Sequence, residues 1–389
     1  NMRCVMAWFT AKEALAFLQV QPQTLYANVS RGRIRAKPDP GDSRRSLYNA
    51  DDVKRMASRQ TGRRSVAAVA AKTMAWGDPV LSSSITTVDT NRLWYRGQDA
   101  VALSHTHTLE QIASLLWQVD TVSFNTPAHI ANVDAALASP LARAMQVLVP
   151  QIDTALPSRG RATTVLVNEA MSVIGTLIAA MLGHSETPGM PLHRRIAQAW
   201  DVPEAEDILR RTLVLLADHE LNASAFAVRV AISTGASIPA GLMAGLTALT
   251  GPLHGSAVKG VRALKAQAQQ QGVMQSVRNH LQRGDTLPAF GHPLYPHGDA
   301  RAAALLQQFS LTPVYQAISE AGEEISGEKP NIDFVLSALA ETYALPSEAP
   351  VILFALARSV GWVAHALEQK TTGQMIRPRA NYVGEAVQA

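Results

Sequence analysis

The chain has 389 residues, 47% hydrophobic and 5% aromatic, with a formal net charge of +4. That length supports two or three domains around a sizeable core, and an Ala- and Leu-rich profile with modest charge excludes a disordered or fibrous protein. No run is expected to reach the roughly 20 apolar residues that span a bilayer, no signal peptide is visible, and the single Cys4 excludes an internal disulfide or a thiolate metal site. The expectation is a soluble, cytoplasmic, mainly α protein, with Asn1 before Met2 read as an expression remnant.

Charge is unevenly placed. Residues 1–64 hold 13 Lys or Arg against 5 Asp or Glu, about +8, and the remainder is mildly acidic. In this basic head, Thr10 stands three residues before Glu13, a capping-box spacing that predicts a helix start. Val20–Tyr26 predicts a turn and a second helix with Pro22 in its first turn. A glycine-containing basic strip, Ser30–Arg35, leads to Arg44-Arg45-Ser46-Leu47-Tyr48, and Asp51-Asp52 open one more helix.

After a linker near Thr61–Ser65 the chain runs through Leu93–Asp99 into long apolar segments of helical spacing. These are Val165–Leu182, Ile208–Asp218, Ala225–Ser233, Val261–Leu281 and Val351–Glu368, punctuated by Gly and Pro. Among them lie Asp218-His219-Glu220-Leu221-Asn222, GPLHG at Gly251–Gly255, FGHPLYPHGDAR at Phe290–Arg301 and PNIDF at Pro330–Phe334. Joining the α-carbon of an acyl thioester to a keto acid needs a base for a weakly acidic C–H proton. It also needs a donor for the thioester oxygen, a second donor for the ketone, and cations for carboxylates. His254 should sit near a helix start, which favours a neutral, donating imidazole. Asp333 between Ile332 and Phe334 should have a raised pKa, as a base needs, and His292 between glycine and proline would polarise the ketone. Isolated histidines among Ala and Leu, namely His184, His193, His280 and His365, read as structural. No zincin helix, metal cluster, GxSxG, GxxxxGK[ST] or GxGxxG pattern is present.

The head, over roughly residues 8–58, resembles the winged helix-turn-helix modules of excisionases and MerR-type regulators. That resemblance implies DNA contact through Gln23, Thr24 and Tyr26 on the second helix, and through Arg31, Arg33, Arg35, Arg44 and Arg45 on a wing. The other readings are a basic surface that docks on the rest of the chain, or a vestigial head.

From about residue 78 onward the chain resembles the citrate synthase family. Leu93–Asp99, Asp218–Ser224, GPLHG, FGH…DAR, PNIDF, Ala357–Gly361 and Ile376–Arg379 follow in family order. The resemblance implies a two-domain helical fold: a head at 1–62, a large domain at 63–256 and 340–389, and a small domain at 257–339. It implies catalysis by His254, His292 and Asp333, with oxaloacetate held by His219, Arg301, Arg358 and Arg377, the last reaching across a homodimer interface. An acyl-CoA would lie along Leu287, Pro288, Ala289, Phe290 and Gly291, with His297 or Lys329 near its phosphates, and no cofactor or metal. The expected reaction is condensation of acetyl-CoA with oxaloacetate. The alternatives are a 2-methylcitrate synthase using propionyl-CoA, or a DNA-binding regulator that senses a metabolite. The chain departs from the family at Gly255-Ser256-Ala257-Val258-Lys259, where members commonly read GGANE, at Ala300 and at Pro296.

Overall fold

The structure is a computed structural model and describes residues 8–18, 20, 22–39, 41–54, 81–125, 137, 139–183, 189–251, 254, 257–380 and 383–385. Cys4, the linker near Thr61–Ser65 and His184 lie outside the described residues, as does the side chain of Arg44. The chain divides into two compact units, residues 1–82 with 378–389, and residues 83–377.

In the first unit, the strand Trp8–Thr10 runs into the helix Ala11–Leu18, followed by the helix Pro22–Ser30 and the strands Ala36–Asp39 and Asp42–Asn49. The strands form one antiparallel sheet with Asp42–Asn49 in the centre. Thr10 and Glu13 make the reciprocal cap that their spacing predicts: the Thr10 amide donates to Glu13 Oε2 at 2.7 Å, and the Glu13 amide donates to Thr10 Oγ1 at 3.3 Å. Ala14, Leu18, Leu25, Ile34, Tyr48 and Val53 pack into a small core of their own. Between them, Gln23, Thr24, Tyr26, Arg31 and Arg33 stay exposed.

The second unit is mainly helical. Among the described residues its strands form one three-stranded antiparallel sheet of Thr86–Asp89, Arg92–Tyr95 and Gln98–Asp99. The axis of its larger core is the helix Ala349–Thr372, which packs against Leu109–Trp117, Glu206–Leu216, Ala223–Ser233 and Ile238–Leu249. A second, smaller core gathers Val261, Leu264, Tyr315, Ile318, Phe334 and Ala338 from the helices Ala257–Gln271, Pro313–Ser326 and Ile332–Thr342.

Two expectations need correction. Residues 261–281 are not one helix: Gly272, at φ +87°, separates Ala257–Gln271 from Val273–Gln282. The left-handed backbone there suits glycine, and a continuous apolar pattern does not register it. Two helices, Thr163–Leu182 and Ala349–Thr372, do have the length and hydropathy of a membrane span. Their apolar windows are 67% and 94% buried within the unit, so tertiary packing accounts for that composition.

Candidate active site

Three helix N-caps set the backbone of the site. Asn222 caps the helix Ala223–Ser233 by accepting from the Ala225 amide at 3.0 Å, three residues after His219. Asp299 caps Ala300–Leu306 through the Arg301 amide at 3.0 Å. Asn331 caps Ile332–Thr342 through the Asp333 amide at 3.0 Å. Asn and Asp are preferred caps because their short side chains satisfy the free amides of a first turn. Each thereby fixes the placement of a functional side chain beside it. Asp333 is thus a first-turn residue rather than the cap.

The histidines are held by specific partners. His254 Nε2 lies 2.8 Å from Ser224 Oγ, which also receives the Trp362 indole N–H at 3.0 Å and lies 2.7 Å from Asn222 Oδ1. The Leu294 amide donates to His292 Nδ1 at 3.1 Å, which leaves the proton of the neutral ring on Nε2. His219 Nε2 is 2.9 Å from the Tyr295 hydroxyl, and the His219 and His292 rings meet edge to face at 5.2 Å. Burial, reinforced by Arg358, takes the His254 pKa down to about 4. Burial and then Arg301 do the same for His292, against the pull of Asp299. His219 is pushed well below the ordinary histidine value by burial, then by Arg301 and Arg358. All three rings are neutral at pH 7.

Asp333 has the opposite displacement. Burial raises its carboxyl to about 6; Arg301 and Arg358 oppose the rise and Asp299 adds to it.

The two buried arginines differ. Arg301 is gripped by Asp299, with Nε to Oδ1 at 3.0 Å and Nη2 to Oδ2 at 2.8 Å. Burial opposes its charge, but Asp299, Tyr295 and Asp333 outweigh that and raise its pKa. Arg358 donates Nε to the Leu216 carbonyl at 2.9 Å, and its Nη2 meets no hydrogen-bond partner among the described residues. Burial lowers its pKa to about 10, with Asp218 resisting and Arg301 assisting. A guanidinium with one unspent fork is suited to a carboxylate.

His219, His254, His292, Arg301, Arg358 and Asp333 therefore form one electrostatically coupled group. Arg377 is exposed, on the stretch without regular secondary structure after Gly373, and shares no hydrogen bond with that group. Ala289, Phe290 and Gly291 pair with the segment before the Asp333 helix: the Gly291 amide donates to the Lys329 carbonyl and the Asn331 amide to the Ala289 carbonyl, both at 2.9 Å. Leu287 is buried in the smaller core, Pro288 covers Gly260, and Phe290 packs on Phe334. His297 and Lys329 line one cavity of about 260 Å³ with Pro296, Gly298, Gly327 and Glu328. In the first unit, Arg45 pairs with Asp42 at 3.2 Å and Arg35 with Asp52 at 2.7 Å.

Sequence reasoning missed Ser224, Tyr295, Asp299 and Trp362. The first three sit inside the motifs that it singled out, which is the signal that was available. Of the histidines read as structural, His193 and His365 are buried, each near one carboxylate.

The family model described as "Citrate synthase, C-terminal domain" matches residues 74–379. The chain is similar to citrate synthase 2 of Bacillus subtilis, 34% identical over 47% of this chain and 52% of that one. It is also similar to 2-methylcitrate synthase 2 of Corynebacterium glutamicum, 31% identical over 45% and 49%. The chain thus spans about half the length of these curated relatives. In fold it resembles the citrate synthase of Thermoplasma acidophilum, solved as a ternary complex with carboxymethyl coenzyme A and oxaloacetate. That likeness has a TM-score of 0.67 and 22% identity, and it covers 80% of this chain and 95% of that one.

Proposed function

The chain belongs to the citrate synthase family, and from that premise we propose that it condenses an acyl-CoA with oxaloacetate and then releases CoA by hydrolysis. The observation that carries this reading is the opposed protonation of one group of residues. Asp333 is a carboxyl raised to about 6, beside neutral imidazoles and two buried arginines. Pairs of titratable groups pushed apart in this way define acid and base roles.

In the proposed reaction, the arginines and His219 hold the carboxylates of oxaloacetate. Asp333 takes a proton from the acyl α-carbon as His254 donates to the thioester oxygen. Ser224 Oγ, 2.8 Å from His254 Nε2, holds that ring in place for this purpose. The enol carbon attacks the ketone, whose oxygen takes a proton from His292 Nε2 and becomes a hydroxyl. Water then cleaves the thioester, giving the acid and CoA thiol. Exclusion of water until condensation is complete protects the thioester. His297 and Lys329 on their shared cavity suit CoA phosphates, and the exposed Arg377 suits a role in a partner copy's site within a homodimer. The reading requires no cofactor, and its location would be the cytoplasm.

Acetyl-CoA would give citrate and propionyl-CoA 2-methylcitrate; one methyl is worth only about 1–3 kcal/mol in an apolar pocket. Relatives of both kinds are similar to this chain. CoA release with oxaloacetate and either donor, read by a thiol reagent, tests the activity and ranks the donors. No release with either, despite oxaloacetate binding, would favour a metabolite sensor. A DNA-contacting head is a second proposal, supported by the exposed Gln23, Thr24 and Tyr26 on one helix, the exposed Arg31 and Arg33 after it, and the local charge. Salt-dependent binding of the full chain to duplex DNA tests it, and its absence ends it.

A further inference from the structure

Tyr295 is unused by the reaction just described, yet it joins two of its parts. Its amide donates to the His292 carbonyl at 2.8 Å, so the turn that presents His292 also presents Tyr295. Its ring lies 5.1 Å from that of His292 and 5.6 Å from that of His219, with the Arg301 guanidinium 5.4 Å from its centre. The side chain is 1% exposed. His219 comes from a different element, the turn before Ala223–Ser233. The 2.9 Å contact from the Tyr295 hydroxyl to His219 Nε2 is the only hydrogen bond of that hydroxyl among the described residues.

A buried phenol with one acceptor in reach donates to it, because an unspent hydroxyl proton costs more than the bond that it makes. Both partners are neutral at pH 7: burial raises the phenol to about 12 and lowers the imidazole well below its usual value. The proton on the His219 ring is then on Nδ1, and the ring cannot rotate without breaking the contact.

We propose that Tyr295 is a positioning residue for the dicarboxylate: by donating to His219 Nε2 it fixes the tautomer and orientation of that ring. The inference rests on the oxaloacetate reading of the site. It assigns to the Phe290–Arg301 motif a second task besides presenting His292, which is to set the geometry of a histidine far away in sequence.

The test is a double-mutant cycle of Tyr295→Phe and His219→Ala, read by calorimetric binding of oxaloacetate and by steady-state kinetics on the full chain. Tyr295→Phe removes one oxygen and should leave the melting temperature within a few degrees. It should raise Kd and KM for oxaloacetate about tenfold, the loss of about 1.4 kcal/mol from one hydrogen-bonded restraint. KM for the acyl-CoA should stay within about twofold and kcat within about threefold. In the His219→Ala background the same change should cost nothing further. Equal oxaloacetate affinity in wild type and Tyr295→Phe, or a full additive cost without His219, overturns the inference. Failure of the wild type itself to bind oxaloacetate overturns the underlying reading, and the inference with it.

Discussion

Asp299 binds Arg301 through both carboxylate oxygens, and the same Oδ2 accepts from the Ile332 amide at 3.1 Å. One buried carboxylate thus couples the guanidinium proposed to hold substrate to the first turn that presents Asp333. It also leaves Arg301 with its charge balanced, while Arg358 keeps a free Nη2.

Replacing Asp299 with Asn should therefore cost more than any surface change. It strands a buried guanidinium, at about 3–5 kcal/mol. Burial opposes the Asp299 charge, but Arg301 prevails and holds the carboxyl below its ordinary value. Its stabilisation is complete above the ordinary carboxylate range and is lost as pH falls through the lower folded value. Urea melts of wild type and Asp299→Asn should differ most near neutrality and converge in acid. A difference independent of pH would contradict the pairing.

Asp333 predicts the reverse sign. Its folded pKa of about 6 lies above the unfolded value, so ionisation destabilises the fold as pH rises from the ordinary range to 6. Asp333→Asn should raise stability at pH 7 by on the order of 3 kcal/mol and by much less near pH 4. Thermal melts at the two pH values check this, and a variant less stable at pH 7 would be the contrary result.

Ser224→Ala removes the partner of both His254 Nε2 and the Trp362 indole. A buried indole N–H left unpaired costs about 1–3 kcal/mol. With the His254 ring no longer anchored, kcat should fall by about one to two orders of magnitude while the oxaloacetate KM changes little. An unchanged kcat would remove Ser224 from the account.

Gly361 is required by close approach. A Cβ there would run into Asp218 Oδ1 and the Ala217 carbonyl, while the Gly361 amide donates to that carbonyl at 3.0 Å. Gly361→Ala should destabilise by more than about 3 kcal/mol or abolish folding, since the obstacles are backbone and a buried carboxylate. Expression level and denaturant midpoint measure this; a midpoint near wild type would show that the two helices can part.

Much of the helical framework and six residues of the central group were legible because they sit in short motifs on periodic elements. The supporting residues were not, for a physical reason. Ser224, Trp362 and Tyr295 gain meaning only through contacts across 30 to 138 positions, such as Trp362 Nε1 to Ser224 Oγ. A hydroxyl or an indole in an apolar stretch carries no local sign of its partner. Asp299 caps a helix locally, but nothing in its neighbourhood marks it as the counter-charge of Arg301 and the acceptor of the Ile332 amide. The helix break at Gly272 was hidden because the apolar spacing continues across it.

The most direct test follows CoA release with oxaloacetate and each acyl-CoA from about pH 4.5 to 8, in wild type and in Asp333→Asn. If Asp333 is the base, kcat/KM in the wild type falls on the acid side with an apparent pKa near 6 and a slope of one, and the Asn variant releases no CoA above background while still binding oxaloacetate. Undiminished release from the variant, or a wild-type profile flat through pH 6, would contradict the account.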